Sequence, residues 1–341
     1  MDMDSSLILS QAKRLFMVDL LREITTGHSG DRIFEAEAGQ RQYILRVAEY
    51  SERAQSHIAF ESHWTEYLAA QMEGVAKPVR SVNGRLYELA EAGGRSCLLS
   101  LQEKAPGKTV DTDNGEEFNE RLFFNLGMLM GRMHKLTMRY EGNVSCSEFK
   151  WNGPHFWRKG IVIEDEEVRQ GEKRLLKELD QLPMGKDNYG IVHFDIHTDN
   201  FLVQNDKITL IDFDACQFNW YAADIASALF FMVQRGAGPL KKQTEKERTA
   251  FAETFLNSYL TGYLQTNSIS AYWIEKIDLF MRYQMIDEYV AAQIGWPKEP
   301  DHLREWYLNW HRDRIKDNLP YVFIDYAKII SGIFDMTANK F

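Results

Sequence analysis

Two neighbouring runs of sequence settle how this chain is built: IVHFDIHTDNFLV at residues 191–203 and ITLIDFD at residues 208–214. The first is an apolar strand that leads into a polar loop, and the second is a strand that ends in acidic residues. Residues 205–206, Asn-Asp, lie between the strands and predict a tight turn. The resulting hairpin would fold the second acidic cluster back toward the polar loop, so that side chains from both converge.

Phosphoryl transfer requires the side chains that these runs supply. Asp195 has the place of the carboxylate that orients and deprotonates a substrate hydroxyl. Asn200 and Asp212 have the places of the oxygen ligands that hold Mg²⁺ on nucleotide phosphates, and Asp214 would support the metal or orient Asp212. The spacing His-x-Asp-x-x-x-x-Asn, followed by Asp-Phe, is that of the kinase catalytic and metal loops.

The same runs resemble the aminoglycoside phosphotransferase and choline kinase family, whose members typically read His-Gly-Asp-x-His-x-x-Asn and then Ile-Asp-Phe/Trp-Asp/Glu. The matching positions are Asp195, His197, Asn200, Asp212 and Asp214. Phe194 stands where the family has glycine. The resemblance implies phosphorylation of a hydroxyl on a small molecule, with ATP and Mg²⁺ as cofactors and GTP as the alternative nucleotide. Amino sugars, amino alcohols and sugar-like metabolites remain open as acceptors.

The resemblance also implies an α+β, protein-kinase-like fold of two lobes. Residues 1–101 would form a small N-terminal lobe, with a five-stranded antiparallel sheet and one helix after the third strand. Residues 102–341 would form a larger, mainly helical C-terminal lobe. Before the sheet, residues 7–21 have the pattern of a short amphipathic helix. Residues 83–84, Asn-Gly, lie between two strand-like runs and predict a hairpin.

A charged pair is expected behind the nucleotide phosphates. Arg46 lies on a strand of alternating apolar residues, where the kinase pattern has a lysine that contacts phosphate. Glu61 falls on the buried face of the helix expected over residues 54–72, and an unpaired buried charge is costly, so we expect it to pair with Arg46. Glu66 is the competing partner, although it points off that face.

Two other segments of the first lobe are candidates for nucleotide contacts. Gly27 and Gly30 belong to a turn before the strands, where backbone N–H groups can lie over phosphates. Gln102 and Glu103 follow the last strand and, by their order along the chain, would form the hinge whose backbone groups contact adenine.

Several residues of the second lobe are expected to support the catalytic loop. The ring of His193 would satisfy loop carbonyls, and His197 would do the same or contact phosphate. Asp224 resembles the family's aspartate that braces the loop through backbone N–H groups, with a helix N-cap as the alternative. His134, near the end of a helix expected over residues 116–136, should be packed and hydrogen-bonded.

Further helices are expected over residues 164–182, 245–264, 271–294, 301–317 and 321–333.

Composition narrows the class of protein. The chain has 341 residues, of which 44% are apolar and 13% aromatic, so it can bury a large core. Its net charge of −10 disfavours a nucleic-acid-binding surface. Cys97, Cys146 and Cys216 are not at metal-ligand spacing and indicate reduced thiols in the cytoplasm.

The N-terminus is acidic, unlike a signal peptide, and no apolar run approaches the length of a membrane span. We therefore expect a cytoplasmic monomer or homodimer whose partner is a small-molecule acceptor, with no nucleic acid and no membrane.

Two other classes of function fit parts of the pattern. His193, Asp195 and His197 resemble the ligand triplet of a zinc hydrolase, but such an enzyme has no need of Asn200 or of a glycine turn. The other class is a non-catalytic, nucleotide-binding relative, which the presence of Asp195, Asn200 and Asp212 disfavours. A protein kinase is disfavoured because no Ala-Pro-Glu segment follows.

Overall fold

The chain divides into two compact units, each assembled from separate segments of sequence. The structure, a computed structural model, describes residues 3–24, 31–142, 147–153, 158–241, 243–296 and 302–338. The first unit comprises Met1–Lys108, Tyr140–Ser145 and Leu202–Asp214, and the second comprises Thr109–Arg139, Cys146–Phe201 and Ala215–Phe341. This division differs from a single cut after residue 101, because the segment 202–214 returns to the first unit.

In chain order, the elements are α1 (Met3–Phe16), β1 (Asp19–Ile24), β2 (Arg32–Ala38), β3 (Arg41–Glu49), α2 (Glu52–Ala69), β4 (Pro78–Val79), β5 (Tyr87–Ala92), β6 (Arg95–Glu103), α3 (Glu120–Thr137), α4 (Glu166–Leu179), β7 (Tyr189–Val192), β8 (Phe201–Gln204), β9 (Lys207–Leu210), β10 (Gln217–Trp220), α5 (Tyr221–Ala237), α6 (Glu245–Tyr263), α7 (Ala271–Glu275), α8 (Ile277–Gly295), α9 (His302–Lys316) and α10 (Tyr326–Ala338).

The first unit is built on an antiparallel sheet in the order β1-β2-β3-β6-β4, with β5 also paired to β6. Tyr43, Leu45 and Val47 alternate along β3 and are buried, as the period-two pattern predicts. The helix expected to continue to residue 21 was wrong, since α1 ends at Phe16 and Met17 takes a left-handed φ of 56°. The residues that follow pair with β2 as the edge strand β1 instead.

The predicted hairpin around Gly84 was also wrong in its pairing. A turn is present, with a φ of 76° at Gly84 and a bond from the Ser81 N–H to the Arg85 carbonyl at 2.8 Å. However, β4 and β5 do not pair with each other: Pro78 pairs with Gln102, and Tyr87 pairs with Ser100, both on β6. The described part of the sheet therefore has six strands rather than five.

The hairpin of β8 and β9 has the turn that its sequence predicts. Asn205 and Asp206 have φ values of 52° and 65°, the left-handed pair of a type I′ turn, which matches the twist of the strands. Leu210 then ties the hairpin into the first unit, because its N–H donates to the Gly74 carbonyl at 2.9 Å and its carbonyl accepts from the Ala76 N–H at 3.0 Å.

The second unit is mainly helical, and α3 packs closely against α6. A Cβ on Gly127 of α3 would lie 1.9 Å from the Tyr259 carbonyl oxygen, and a Cβ on Gly262 of α6 would lie 1.9 Å from that of Phe124. The helix expected over residues 271–294 is interrupted, and α7 and α8 meet at Lys276 although no glycine or proline marks the break. Within the described ranges, no helix has the length and apolar character needed to cross a bilayer.

Candidate active site

The loop between β7 and β8 brings Asp195, His197 and Asn200 together. The amide nitrogen of Asn200 donates to Asp195 Oδ2 at 2.8 Å and to the Asp195 carbonyl at 2.9 Å. His197 Nε2 lies 3.4 Å from the same Oδ2. Because the amide nitrogen of Asn200 faces Asp195, its amide oxygen points away from that carboxylate and remains suited to a hard cation.

Charge within this loop favours the ionised form of Asp195. Burial raises the pKa of Asp195, but the bonds and charges of His197, His193 and Asn200 outweigh it and hold the pKa below its ordinary value. Burial in turn lowers the pKa of His197, yet the carboxylates of Asp195 and Asp199 raise it on balance. The loop therefore presents an ionised carboxylate at neutral pH.

The first turns of α5 hold the backbone at the start of this loop. Asp224 accepts from the His193 N–H through Oδ2 at 3.1 Å and from the Phe194 N–H through Oδ1 at 2.7 Å. Ser227 Oγ donates to the Phe194 carbonyl at 2.9 Å. The helix N-cap is Trp220, so Asp224 is not the cap. These are the bonds expected of a bracing residue, while the effect of Asp224 on turnover stays a prediction.

Further along α5, the same face contacts the rest of the loop. The Phe231 ring lies edge-on to the His197 ring with centroids 5.5 Å apart. Arg235 Nη2 binds Asp199 Oδ2 at 2.6 Å. The contacts recur every three or four residues, which is the spacing of one helix face. The sequence analysis identified only Asp224 on this face. A spacing of three or four residues from Asp224 would also have indicated the later positions on the same face.

His134 lies behind the bracing aspartate as the sequence predicts, buried and hydrogen-bonded. Its Nε2 donates to Asp224 Oδ2 at 2.9 Å, since a carboxylate only accepts, and its Nδ1 lies 2.9 Å from the Tyr263 hydroxyl. Asn267 donates to that hydroxyl at 3.0 Å. The His134 ring also stacks on Tyr221, with centroids 4.7 Å apart. Asp224 is therefore fixed from behind as well as by the loop.

The two histidines of the loop contact backbone N–H groups. His193 Nδ1 accepts from the Asp195 N–H at 3.4 Å, and His197 Nδ1 accepts from the Asp199 N–H at 3.2 Å. Each ring thus bonds the residue two positions later. These contacts give both rings a place within the loop, while the predicted bonds to loop carbonyls and the contact of His197 with phosphate stay predictions.

In the first unit, Arg46 joins two carboxylates. Its Nη1 donates to Glu61 Oε2 at 3.1 Å, and its Nε donates to Asp31 Oδ2 at 2.5 Å. Burial disfavours the charge of Arg46, but Glu61, Asp31 and Asp214 raise its pKa on balance. The competing Glu66 forms a bidentate pair with Arg80 instead, at 2.7 and 2.8 Å. Sequence reasoning missed Asp31, since nothing in its spacing indicates a partner on another strand.

Asp212 and Asp214 also belong to the first unit and influence this charged pair. The charge of Asp212 adds to burial in raising the pKa of Glu61. Asp212 has a left-handed φ of 59°, and the next residue, Phe213, packs edge-on against Trp64 with ring centroids 5.6 Å apart. Because Glu61 and Trp64 are one turn apart on α2, this helix holds both the arginine pair and the acidic segment.

The remaining predictions concern the nucleotide contacts and the approach of Asp212 to Asn200. Gly27 and Gly30 lie outside the described residues. Gln102 and Glu103 end β6, and the Glu103 N–H donates to the Lys77 carbonyl at 2.8 Å, so that N–H already has a partner within the first unit. The approach of Asp212 to Asn200 stays a prediction, because the two residues belong to different units.

In the part of the chain that is described, no group of three or more His, Cys, Asp or Glu side chains is arranged to hold a metal ion. Mg²⁺ is commonly held by one or two carboxylates together with substrate phosphates and water. Asn200 and Asp212 stay the predicted protein ligands.

Comparison with known proteins places this chain among phosphotransferases. A sequence profile of the phosphotransferase enzyme family matches residues 21–267, well over half of the chain. Amicoumacin kinase of Bacillus subtilis (strain 168) is 29% identical over 304 residues, which cover 87% of this chain and 88% of that protein.

Solved structures show the same fold. Amicoumacin kinase hAmiN, in complex with AMP-PNP, Ca²⁺ and Ami, has a TM-score of 0.83 at 26% identity, covering 96% of this chain and 97% of that one. The microcompartment-associated aminopropanol kinase has a TM-score of 0.69 at 19% identity, covering 91% and 97%. These likenesses confirm the α+β, protein-kinase-like fold class, with an antiparallel sheet in the first unit and a mainly helical second unit.

Proposed function

The chain belongs to the phosphotransferase enzyme family, and from this premise we propose that it is an ATP-dependent kinase of a small molecule that bears an amino group and a hydroxyl. The names of its relatives supply the first acceptors to test, which are amicoumacin and aminopropanol. An amine suits the acidic balance of the chain, and ATP is supported by the AMP-PNP bound to the relative of known structure.

The observation that carries this proposal is the orientation of Asn200 toward Asp195. The amide nitrogen of Asn200 fixes the Asp195 carboxylate, and its amide oxygen remains for a cation. A kinase loop requires both functions. A divalent cation, when bound, would neutralise charge on the phosphate oxygens. Asn200 and Asp212 are proposed as its protein ligands, and Asp214 is proposed to support the metal or to orient Asp212.

Asp195 is proposed to orient the acceptor hydroxyl and to take its proton. As the hydroxyl oxygen bonds to the γ-phosphorus, the bond between that phosphorus and the β,γ-bridging oxygen breaks and ADP leaves. Arg46, held by Glu61, is proposed to bind the phosphates. Most of the rate enhancement would come from this positioning and from charge stabilisation.

The other candidates are proposed to assist. Gly27 and Gly30 would cover the phosphates, and Gln102 and Glu103 would contact adenine through backbone groups other than the Glu103 N–H. His193, His197 and Asp224 would keep the catalytic loop in place, as their hydrogen bonds indicate.

The test is ADP release across a panel of amino alcohols, amino sugars and amicoumacin, with ATP or GTP and Mg²⁺. We expect Asp195→Asn to lower kcat by about 10²–10⁴-fold, because general-base catalysis contributes that much, while nucleotide affinity changes little. Asp206→Asn is the matched control, since it makes the same change in the turn of the neighbouring hairpin.

Three results would contradict the proposal. Nucleotide binding without turnover of any acceptor would support a non-catalytic relative. Stoichiometric zinc in the purified protein, with no response to nucleotide, would support a hydrolase. Full turnover by Asp195→Asn would remove Asp195 from the reaction.

A further inference from the structure

Arg46 is held from two sides by carboxylates of separate elements. Asp31 immediately precedes β2 and binds Nε at 2.5 Å, and Glu61 comes from α2 and binds Nη1 at 3.1 Å. The three side chains are largely buried, with exposed fractions of 21% for Arg46, 14% for Asp31 and 17% for Glu61. Solvent screening of these contacts is therefore weak.

Two bonds at different atoms fix the guanidinium more completely than one. The group is planar, so bonds at Nε and Nη1 restrict both its direction and its rotation about the side chain. Nη2 makes no hydrogen bond to the described residues and is left to meet a ligand. With Glu61 alone, the guanidinium would remain free to swing about a single contact.

Lysine has no atom that corresponds to Nε. An ammonium group rotates freely about its stem and binds as a point charge, so it needs no second carboxylate to set a plane. Asp31 is therefore useful only because the phosphate-contact position holds arginine.

We propose that Asp31 is a positioning residue that enables Arg46 to do the phosphate-binding work that the kinase pattern gives to lysine. The inference rests on the phosphate-binding role proposed for Arg46 above. Asp31 makes no contact with the nucleotide in this scheme. It acts by aiming Nη2, so its loss weakens nucleotide binding while the chemistry at Asp195 continues.

A double-mutant cycle between positions 31 and 46 tests this. KM for ATP–Mg²⁺, kcat and nucleotide affinity would be measured for the wild type, Asp31→Ala, Arg46→Lys and the double variant. Groups that act as one unit couple strongly, so we expect Asp31→Ala to raise KM about tenfold with kcat within about twofold. In the Arg46→Lys background, the same change should cost less than about twofold.

Two further variants separate positioning from folding. Glu66→Ala removes an arginine-paired carboxylate from the same helix as Glu61 and should leave KM unchanged. Asp31→Asn keeps an acceptor oxygen for Nε without the charge, so its KM should lie between those of the wild type and Asp31→Ala. Thermal unfolding of each variant shows that the comparison concerns folded protein.

Each possible result of the double-mutant cycle has its own interpretation. An equal rise in KM in both backgrounds overturns the inference, because Asp31 would then act without Arg46. A fall in KM for Asp31→Ala also overturns it, since Asp31 would then compete with the nucleotide. A wild type that turns over nucleotide while the cycle shows no coupling refutes only this inference, whereas a wild type that binds no nucleotide refutes the proposed function with it.

Discussion

Phe194 adopts a backbone conformation that glycine adopts more readily. Its φ is 67°, where an L side chain costs about 1–2 kcal/mol. The surrounding contacts offset this cost, because Asp224 and Ser227 bond its N–H and carbonyl and its ring is buried. Phe194 therefore has backbone strain that the family's glycine would avoid, together with a buried side chain that glycine lacks.

Substitutions at this position separate the two effects. Phe194→Ala and Phe194→Gly should each lower the free energy of unfolding by about 3–5 kcal/mol through loss of the ring. Glycine relieves strain of about 1–2 kcal/mol, which exceeds the roughly 0.4–1 kcal/mol that alanine gains from a less flexible unfolded chain. Chemical denaturation should thus rank the wild type first, glycine second and alanine last. An alanine variant at least as stable as the glycine variant would show that the strain is small.

His311 makes stability depend on pH. It is fully buried among aromatic rings, and burial lowers its pKa to about 4. Between that value and the ordinary histidine pKa of about 6.5, the unfolded chain binds a proton that the folded chain excludes. Stability is therefore lost as pH falls through this window, by up to about 3 kcal/mol.

His311→Phe removes this titration while keeping a ring. We expect the difference in unfolding free energy between the wild type and the variant to shift in the variant's favour as pH falls from 7 to 5. Denaturant titrations at both pH values measure it, and comparing the two proteins cancels the carboxylates they share. A difference that is the same at both pH values would contradict the assignment.

At the residue scale, short motifs predicted the candidate residues and contacts that depend on local sequence spacing. The candidates Asp195 and Asn200 follow from one loop, and the pairing of Arg46 with Glu61 follows from helix periodicity plus the cost of an unpaired charge. Asp31 could not be found in this way, because its bond to Arg46 depends on the registration of two strands.

At the scale of elements, α5 and the pair formed by α3 and α6 shape the second unit. One face of α5 contacts the loop between β7 and β8 at four positions, so the helix and the loop form a single hydrogen-bonded and packed assembly. The sequence analysis identified Asp224 in this segment, as a brace or as a helix N-cap, and did not predict the bounds of the helix. The side of α5 that faces the loop could not be predicted, since most residues of α5 are buried and no single apolar stripe marks one side.

The close approach of α3 to α6 leaves no room for a methyl group. Gly127→Ala places a Cβ against backbone that side-chain rotation cannot move, so we expect a loss of about 1–3 kcal/mol despite alanine's better helix propensity. Gly332→Ala in α10 is the matched control, since among the described residues no atom outside the adjoining helix backbone lies within 4 Å of the new Cβ. It should stabilise the protein by up to about 1 kcal/mol. Equal effects on thermal unfolding would mean that the helices separate easily.

At the scale of the molecule, the two units are interleaved along the sequence. The motifs predicted the fold class through the family that they resemble. They did not assign residues 202–214 to the first unit, since strands of four residues carry no signal about their partners. That assignment depends on long-range bonds, such as those of Leu210 with Gly74 and Ala76 and those of Val203 with Lys108.

The hairpin of β8 and β9 has a consequence for synthesis. The ribosome adds roughly 5–20 residues per second, so residues 202–214 emerge about 5–20 s after residue 108. During that interval the nascent sheet lacks the segment that bonds Gly74 and Ala76, and their backbone groups are open to other partners. The first unit is therefore complete only once residue 214 has emerged, although most of it is made by residue 108, and chaperones have a defined window in which to meet it.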